Sequence, residues 1–270
     1  MGVRFEIVLY ASKRNTANTA ANAALERIVA LEKVWSDYDA KSELMTLCAR
    51  SHPGQPMRAS GDLRRVLLRS LEVSRSSQGA FDVTVGPLTK LWRRARRRKQ
   101  LPAVARLADA QRRVGYRFLS VDEKAGTLTL DRQGMRLDLG GSAKGYVADQ
   151  ALEELCQYGC PRASVDTGGD LSLGEPPPGE RGWRIGISPL EPDQPASRFV
   201  RVSNCGVATS GDAWQFVEID DVRYSHLLDP HTGLGLTTRS SVTVIAHDCM
   251  TADALASAVS VLGPRAGTLG

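Results

Sequence analysis

The stretch DLGGSAKGYVADQALEELCQYG, residues 138–159, joins three kinds of local structure within 22 residues. Asp138 ends a short alternating segment, and a glycine-rich turn follows at Gly140 and Gly141. From about Lys144 to Tyr158 the residues suit a helix, with Gly159 at the position just past its end where a left-handed residue is favoured. Upstream of this junction, helices dominate. From about Thr16 to Trp35 the apolar positions Ala21, Leu25, Ile28, Leu31 and Trp35 recur at helical spacing. Ser60 is placed to cap a second helix carrying Leu63, Val66, Leu67 and Leu71 and ending near Gly79, and Pro102 to Val114 suits a third, short one. Residues 3–9 alternate, with Val3, Phe5, Ile7 and Leu9 on one face of a strand, and Thr127–Leu130, Asp131–Gly134 and Met135–Asp138 read as a β-hairpin. Downstream, strands are expected at Ala163–Thr167, Trp183–Ile187, Phe199–Ser203, Trp214–Ile219, Val222–Leu228 and Ser241–Ala246, with an exposed loop at Pro176–Gly179 and a last helix from about Thr251 to Leu262. Helices and strands mix without a regular βαβ alternation, which selects an α+β fold with largely antiparallel sheet and packed helices over a doubly wound one.

The chain has 270 residues, 42% of them hydrophobic, and is long enough to bury a sizeable core; one or two domains fit the length, and a single one is expected here. No apolar run reaches the roughly 18 residues of a membrane span. MGVRFEIVLY at the start alternates and reads neither as a signal peptide nor as an anchor. The net charge of +5 is uneven: residues 50–118 carry 17 Lys/Arg against 4 Asp/Glu. Six of those positives, Arg93, Arg94, Arg96, Arg97, Arg98 and Lys99, form one run, expected as a basic exposed loop over 93–100. Such a run can bind phosphates, but no recognition helix or nucleic-acid motif accompanies it, so no nucleic-acid partner is expected. An acidic acceptor or an anionic lipid surface remains open for it. The five cysteines are too few and too scattered for a disulfide framework, and Cys156 and Cys160 read as semi-buried thiols rather than a zinc site.

Several clusters could carry chemistry. In DLGGSAKGY, glycines before a helix allow close backbone approach to an anion, and Lys144 adds charge; neither a Walker A loop nor GxGxxG is present, and a plain strand–turn–helix junction accounts for the glycines equally well. Asp253 and Ser257 share one helix face, opposite the apolar Leu255, Ala256, Val259 and Leu262. A carboxylate and a hydroxyl there are hard oxygen donors suited to Mg²⁺, or simply a dipole-favouring Asp and a small packed Ser. His226 closes a strand before the Asp229-Pro230 turn, as a possible base or a structural histidine. GAFDVTVGPL at 79–88 delivers an aromatic and an acid after a helix, and Asp166–Asp170 is a strand ending in a glycine turn.

The order of these pieces is far more specific than any one of them. MGV at 1–3, SDY and SEL at 36–44, GAFDVTVGPL and LW at 79–92, DLGGSAKGY at 138–146 and GGD at 168–170 are followed by ATSGD at 208–212, SHLLDPHTG at 225–233, SVTVIA at 241–246 and ADALASAVSVLG at 252–263. In this order they resemble the ApbE family, the FAD:protein FMN transferases, over nearly the whole chain. The resemblance implies an ApbE-like, T-fold-related domain that uses Mg²⁺ and takes FAD as FMN donor. FMN would pass to a Thr or Ser hydroxyl of an acceptor flavoprotein, forming a phosphoester and releasing AMP. It further implies that Met1, Tyr38, Ala80, Phe81, Asp82, Asp138, Lys144 and Leu228 line the FAD site. The Gly141 carbonyl, Asp253 and Ser257 would hold the metal, and His226 would activate the incoming hydroxyl. Family acceptors are often subunits of respiratory electron-transfer complexes, which implies membrane association and an exported enzyme on the periplasmic face of the inner membrane; no leader is present in this chain, which leaves a cytoplasmic location open. Three departures stand out: Ser257 replaces the usual threonine, Cys48 replaces the usual asparagine after SEL, and the family continues beyond VLG, so segments at both ends are expected to lie outside this chain. Hydrolysis of FAD to FMN and AMP, or flavin binding without catalysis, are the rival outcomes for the same site.

Overall fold

The computed structural model describes residues 4–36, 39–191, 194–211 and 215–263. Strand β1 (Glu6–Leu9) leads into helices α1 (Arg14–Trp35) and α2 (Glu43–Arg50). Next come β2 (Met57–Arg58), α3 (Gly61–Ser76), α4 (Gly86–Arg98), α5 (Val104–Gln111), a 3₁₀ turn at Tyr116–Phe118, β3 (Leu119–Asp122) and β4 (Thr127–Leu130). Helix α6 (Ala143–Gln157) precedes β5 (Ala163–Asp166), β6 (Asp170–Leu173), β7 (Trp183–Ile187), β8 (Arg198–Val202) and β9 (Cys205–Gly211). The chain closes with β10 (Phe216–Ile219), β11 (Val222–Ser225), β12 (Ser241–Ala246) and α7 (Cys249–Leu262). The main sheet has the order β1-β5-β6-β9-β12, and every pairing in it is antiparallel. A small β2-β4-β3 sheet and the hairpins β7-β8 and β10-β11 complete the strands described. The fold is α+β with antiparallel sheets, as the mixed pattern of elements requires.

Helices α6 and α7 pack on the main sheet and on each other, and α1 packs on the outer side of α6. One apolar core runs through them, with Leu31, Leu67, Val147, Leu155, Val165 and Ala254 all buried. Sequence periodicity accounts for the helices directly. In α3 the Ser60 hydroxyl accepts from the Leu63 amide at 3.2 Å, a cap typically worth about 1 kcal/mol, and the buried side includes Leu63, Val66, Leu67 and Leu71. Helix α7 starts in the same way, with the Asp248 carboxylate accepting from the Thr251 amide at 2.7 Å.

Four expectations are corrected. The basic run is helical rather than a loop: α4 extends through Arg98, and Lys99 ends it in the left-handed region. Leu88, Trp92 and Ala95, at i, i+4 and i+7, are buried and fix this helix against the body of the protein, so the arginines occupy its remaining faces. The expected hairpin partner is also different. Thr127–Leu130 pairs with Leu119–Asp122, not with Met135–Asp138. The other edge of β4 is taken by β2, so Met135 and Leu137 are buried in extended chain and only Arg136 makes a bridge, parallel, to Val85. Strand β11 stops at Ser225, and Leu228 forms a separate bridge to Gly235. Helix α7 is not two-faced as expected; it is buried nearly all round, so that Asp253 is only 3% exposed. Val3 and Trp214 lie outside the described residues.

The start of α7 is held in a tight slot. A Cβ on Gly145 of α6 would lie 2.4 Å from the Cys249 carbonyl oxygen, and one on Gly206 of β9 would lie 2.1 Å from the Cys249 nitrogen. Only glycine permits this approach. Asp149 fastens the same point: its carboxylate accepts from the Cys249 and Met250 amides, both at 2.9 Å, and from the Ser172 hydroxyl at 2.7 Å. Burial pushes its pKa up to about 6, against the pull of those bonds.

Candidate active site

The turn after α3, the loop before α6, the end of β9, the segment after β11 and one face of α7 meet around a cleft of about 470 Å³. Ten of the twelve residues singled out from the sequence line it. Ala80, Phe81 and Asp82 come from the turn after α3, and Asp138, Gly141 and Lys144 from the glycine-rich junction. His226 and Leu228 follow β11, and Asp253 and Ser257 project from α7. Met1 and Tyr38 lie outside the described residues. Cys48 does not line the cleft; its sulfur accepts from the Leu137 amide at 3.3 Å, and burial pushes the thiol pKa up.

Asp82 is buried, and its carboxylate organises the turn. One oxygen accepts from the Thr84 amide at 2.8 Å and the Thr84 hydroxyl at 2.7 Å, the other from the Tyr116 amide at 2.8 Å. Burial raises its pKa and these bonds oppose the rise. Asp138 shapes the next loop: its amide donates to the Val83 carbonyl at 2.8 Å, and its carboxylate accepts from the Gly140 amide at 2.9 Å with Arg93 3.8 Å away. The turn presses Gly141 onto α7, where a Cβ would stand 3.0 Å from the Ser257 hydroxyl and 3.1 Å from the Phe81 ring.

The strongest electrostatics lie where α6 begins. Lys144 forms an ion pair with Asp170 of β6, whose side chain is 2% exposed, while that of Lys144 is 29% exposed. Asp253 stands nearby, with the Gly145 amide 3.4 Å from its carboxylate. Burial pushes the pKa of Asp253 up to about 7; Asp170 adds to the rise and Lys144 opposes it. Asp170 is also raised by burial, with Lys144 again opposing. For Lys144 burial acts downward, but the attraction of Asp253 and Asp170 outweighs it and holds the ammonium above its ordinary range. Two buried carboxylates thus share one ammonium, and ionisation of both leaves a negative surplus for a bound cation to offset. The nearby Ser257 hydroxyl lies 3.3 Å from that of Ser210, so a carboxylate and two hydroxyls are gathered there. Hard oxygen donors with excess negative charge fit a small divalent cation such as Mg²⁺. Among the described residues there is no group of three or more His, Cys, Asp or Glu side chains placed to hold a metal, so such an ion would depend on hydroxyl and backbone oxygen as well.

His226 forms another stretch of the cleft wall, from the segment after β11. Its amide donates to the Gln215 carbonyl at 2.9 Å, and Nδ1 lies 3.2 Å from the same oxygen. A carbonyl can only accept, so Nδ1 carries the proton and Nε2 is the basic nitrogen of the neutral ring. Trp92 fixes this wall to α4 by donating from Nε1 to the Ser225 carbonyl at 3.2 Å. Sequence reasoning missed Arg93 and Arg96, which enter the cleft from α4 because the run is helical, and also Asp170 and Asp149 as partners of the lysine and of α7. For Arg93 and Arg96 the i, i+4, i+7 spacing of Leu88, Trp92 and Ala95 was the available signal; for Asp149 there was none.

An α+β scaffold that brings a half-buried lysine and two buried aspartates to a helix start, with a histidine lining the same cleft, has the groups with which a phosphate-bearing ligand can be handled. The chain belongs to the ApbE family, whose model matches residues 1–269. It is 35% identical over 273 aligned residues to the FAD:protein FMN transferase of Treponema pallidum, covering 93% of this chain and 74% of that protein. It is 31% identical over 237 residues to the FAD:protein FMN transferase of Haemophilus influenzae, covering 84% of this chain and 68% of that protein. Among solved structures, an ApbE protein from Thermotoga maritima superposes with a TM-score of 0.86 at 31% identity, over 97% of this chain and 84% of that one. The flavin transferase ApbE from Vibrio cholerae superposes with a TM-score of 0.82 at 29% identity, over 97% of this chain and 84% of that one.

Proposed function

We propose that this ApbE-family enzyme is an FAD:protein FMN transferase that moves the FMN half of FAD onto a Thr or Ser hydroxyl of an acceptor protein and releases AMP. The observation that carries this reading is the one cleft lined both by Lys144 and Asp253, with Asp170 paired to the lysine, and by a histidine whose Nε2 is the basic nitrogen. The Lys144 ammonium offsets charge on the diphosphate oxygens of FAD. The Phe81 turn and Leu228 supply apolar wall for the dinucleotide. His226 accepts the proton of the acceptor hydroxyl at Nε2 as that oxygen bonds to the FMN phosphorus and the bond from phosphorus to the AMP oxygen breaks. Asp253, Ser257 and the Gly141 carbonyl are the residues to hold Mg²⁺, which when bound offsets the charge developing on the diphosphate as the leaving group departs. Ser257 keeps the hydroxyl of the usual threonine without its β-branch, so its rotamer is less constrained.

The test is incubation of the protein with FAD, Mg²⁺ and a candidate acceptor, followed by mass spectrometry of the intact acceptor. A covalent FMN adduct, dependent on Mg²⁺ and on His226, supports transfer; free FMN and AMP formed at the same rate with or without acceptor would refute it in favour of hydrolysis. By the same family reading, the acceptors are subunits of respiratory electron-transfer complexes and the enzyme works on the periplasmic face of the inner membrane. Protease accessibility in spheroplasts tests that location. Among the described residues no helix is long and apolar enough to cross a membrane.

A further inference from the structure

Helix α4 separates two concave surfaces. Arg93 and Arg96 face the cleft, while Lys90, Arg94, Arg97 and Arg98, at i, i+4, i+7 and i+8, face a second groove of about 820 Å³ on the other side. Arg113 and Arg136 complete its lining, which contains six cations and no carboxylate. Arg113 is paired with Asp109, which lies outside the groove; the other five have no ion pair with a carboxylate among the described residues. Lys90, Arg94, Arg97 and Arg98 are exposed. Like charges gathered in one concavity repel, and a bound polyanion relieves that repulsion.

We propose that this groove docks an acidic segment of the acceptor polypeptide beside the hydroxyl to be modified; the proposal rests on the transferase reading above. Three observations favour a polypeptide over other anions. The groove is concave, whereas a bilayer surface offers a flat sheet of headgroups. Its apolar floor, with Met45, Leu91 and Met135, suits side-chain stems but has no aromatic ring on which a nucleobase could stack. Finally, α4 is the shared wall of groove and cleft. A helix is about 10 Å across, so a chain presenting its hydroxyl in the cleft reaches the groove with about three or four extended residues. The acidic stretch is therefore expected at least that far from the modified residue.

The experiment measures binding of fluorescein-labelled hexaglutamate to the full chain by anisotropy, with hexaglutamine as the neutral probe. Three proteins are compared: wild type, Arg94→Gln/Arg97→Gln/Arg98→Gln, and a control, Arg181→Gln/Arg184→Gln/Arg198→Gln, with the same net charge. Hexaglutamate should bind wild type and control in a salt-sensitive manner and hexaglutamine should not; the groove variant should bind at least about tenfold more weakly while binding FAD as wild type does. Lys90→Gln/Arg136→Gln should act in the same direction and serves if the triple variant does not fold. Equal binding by wild type and groove variants, or equal loss in the control, overturns the proposal. So does groove-dependent binding of phosphatidylglycerol vesicles or of an oligouridylate without binding of the peptide. Failure of flavin transfer to any protein defeats the transferase reading; intact transfer with unchanged peptide binding defeats only the docking site.

Discussion

Lys144→Met is the substitution that most sharply separates folding from chemistry in this protein. Methionine keeps the aliphatic length and removes the ammonium. Asp170 then stands 2% exposed without its partner, and the 3% exposed Asp253 loses the cation that counters its burial. Removing one partner from a buried pair costs about 3–5 kcal/mol. Lys144 is itself 29% exposed, and water reaching the gap moderates the loss, so the lower end, about 3 kcal/mol, is expected. In a chain of this size each kcal/mol moves the melting temperature by about 2–4 °C, giving a fall of roughly 6–12 °C. Adding Asp170→Asn removes one of the stranded charges, so the double variant should regain most of that stability, a coupling that a thermodynamic cycle isolates. Flavin transfer should not return with it, because the cation facing the diphosphate is still missing. The assays are thermal unfolding of the flavin-free protein and mass spectrometry of the acceptor. A Lys144→Met protein that melts within about 1 °C of wild type, or a double variant that transfers flavin normally, would refute the reasoning.

Four further outcomes are expected. His226→Ala should lower flavin transfer by about 10²–10⁴-fold with FAD affinity and melting temperature unchanged; a loss shared equally by FAD binding would assign His226 to binding instead. Asp253→Asn should abolish activity and the Mg²⁺-induced rise in melting temperature without lowering the metal-free melting temperature, since it removes a carboxylate that Asp170 repels. Gly145→Ala places a Cβ 2.4 Å from the Cys249 carbonyl, so α6 and α7 must part; about 1–3 kcal/mol of stability and much of the activity should go together, measured by denaturant titration and transfer rate. Asp62 is drawn upward in pKa by burial but downward, and on balance lower, by Arg27 and Tyr146, which donate to its carboxylate. A depressed carboxylate pKa stabilises the fold above the unfolded value of about 3.9, so Asp62→Asn should destabilise at pH 7 and the difference should vanish as pH falls well below 4, followed by denaturant titration at each pH.

How far local pattern reaches is clear from particular elements. The helices around Ile28, Leu67 and Leu155 and the strands Trp183–Ile187 and Ser241–Ala246 follow from periodicity and caps written within each segment. Strand β9, CGVATSG, offers no comparable pattern, because its inner residues are small to admit α7 rather than large to fill a core. The basic run misled because six cations in seven residues mask the sparse buried stripe of Leu88, Trp92 and Ala95.

What the sequence alone determined is the set of local elements, the glycine junction before α6 and the ordered motifs that mark the family. Only the tertiary structure decided that Lys144 meets Asp170 and Asp253, that His226 lines the same cleft as Lys144 and Asp253, and that the arginines of α4 divide between that cleft and a separate groove. Burial periodicity is a property of neighbours along the chain. The charges that set the chemistry belong to residues as far apart as Lys144 and Asp253, whose proximity depends on two helices closing over glycines that carry no pattern of their own.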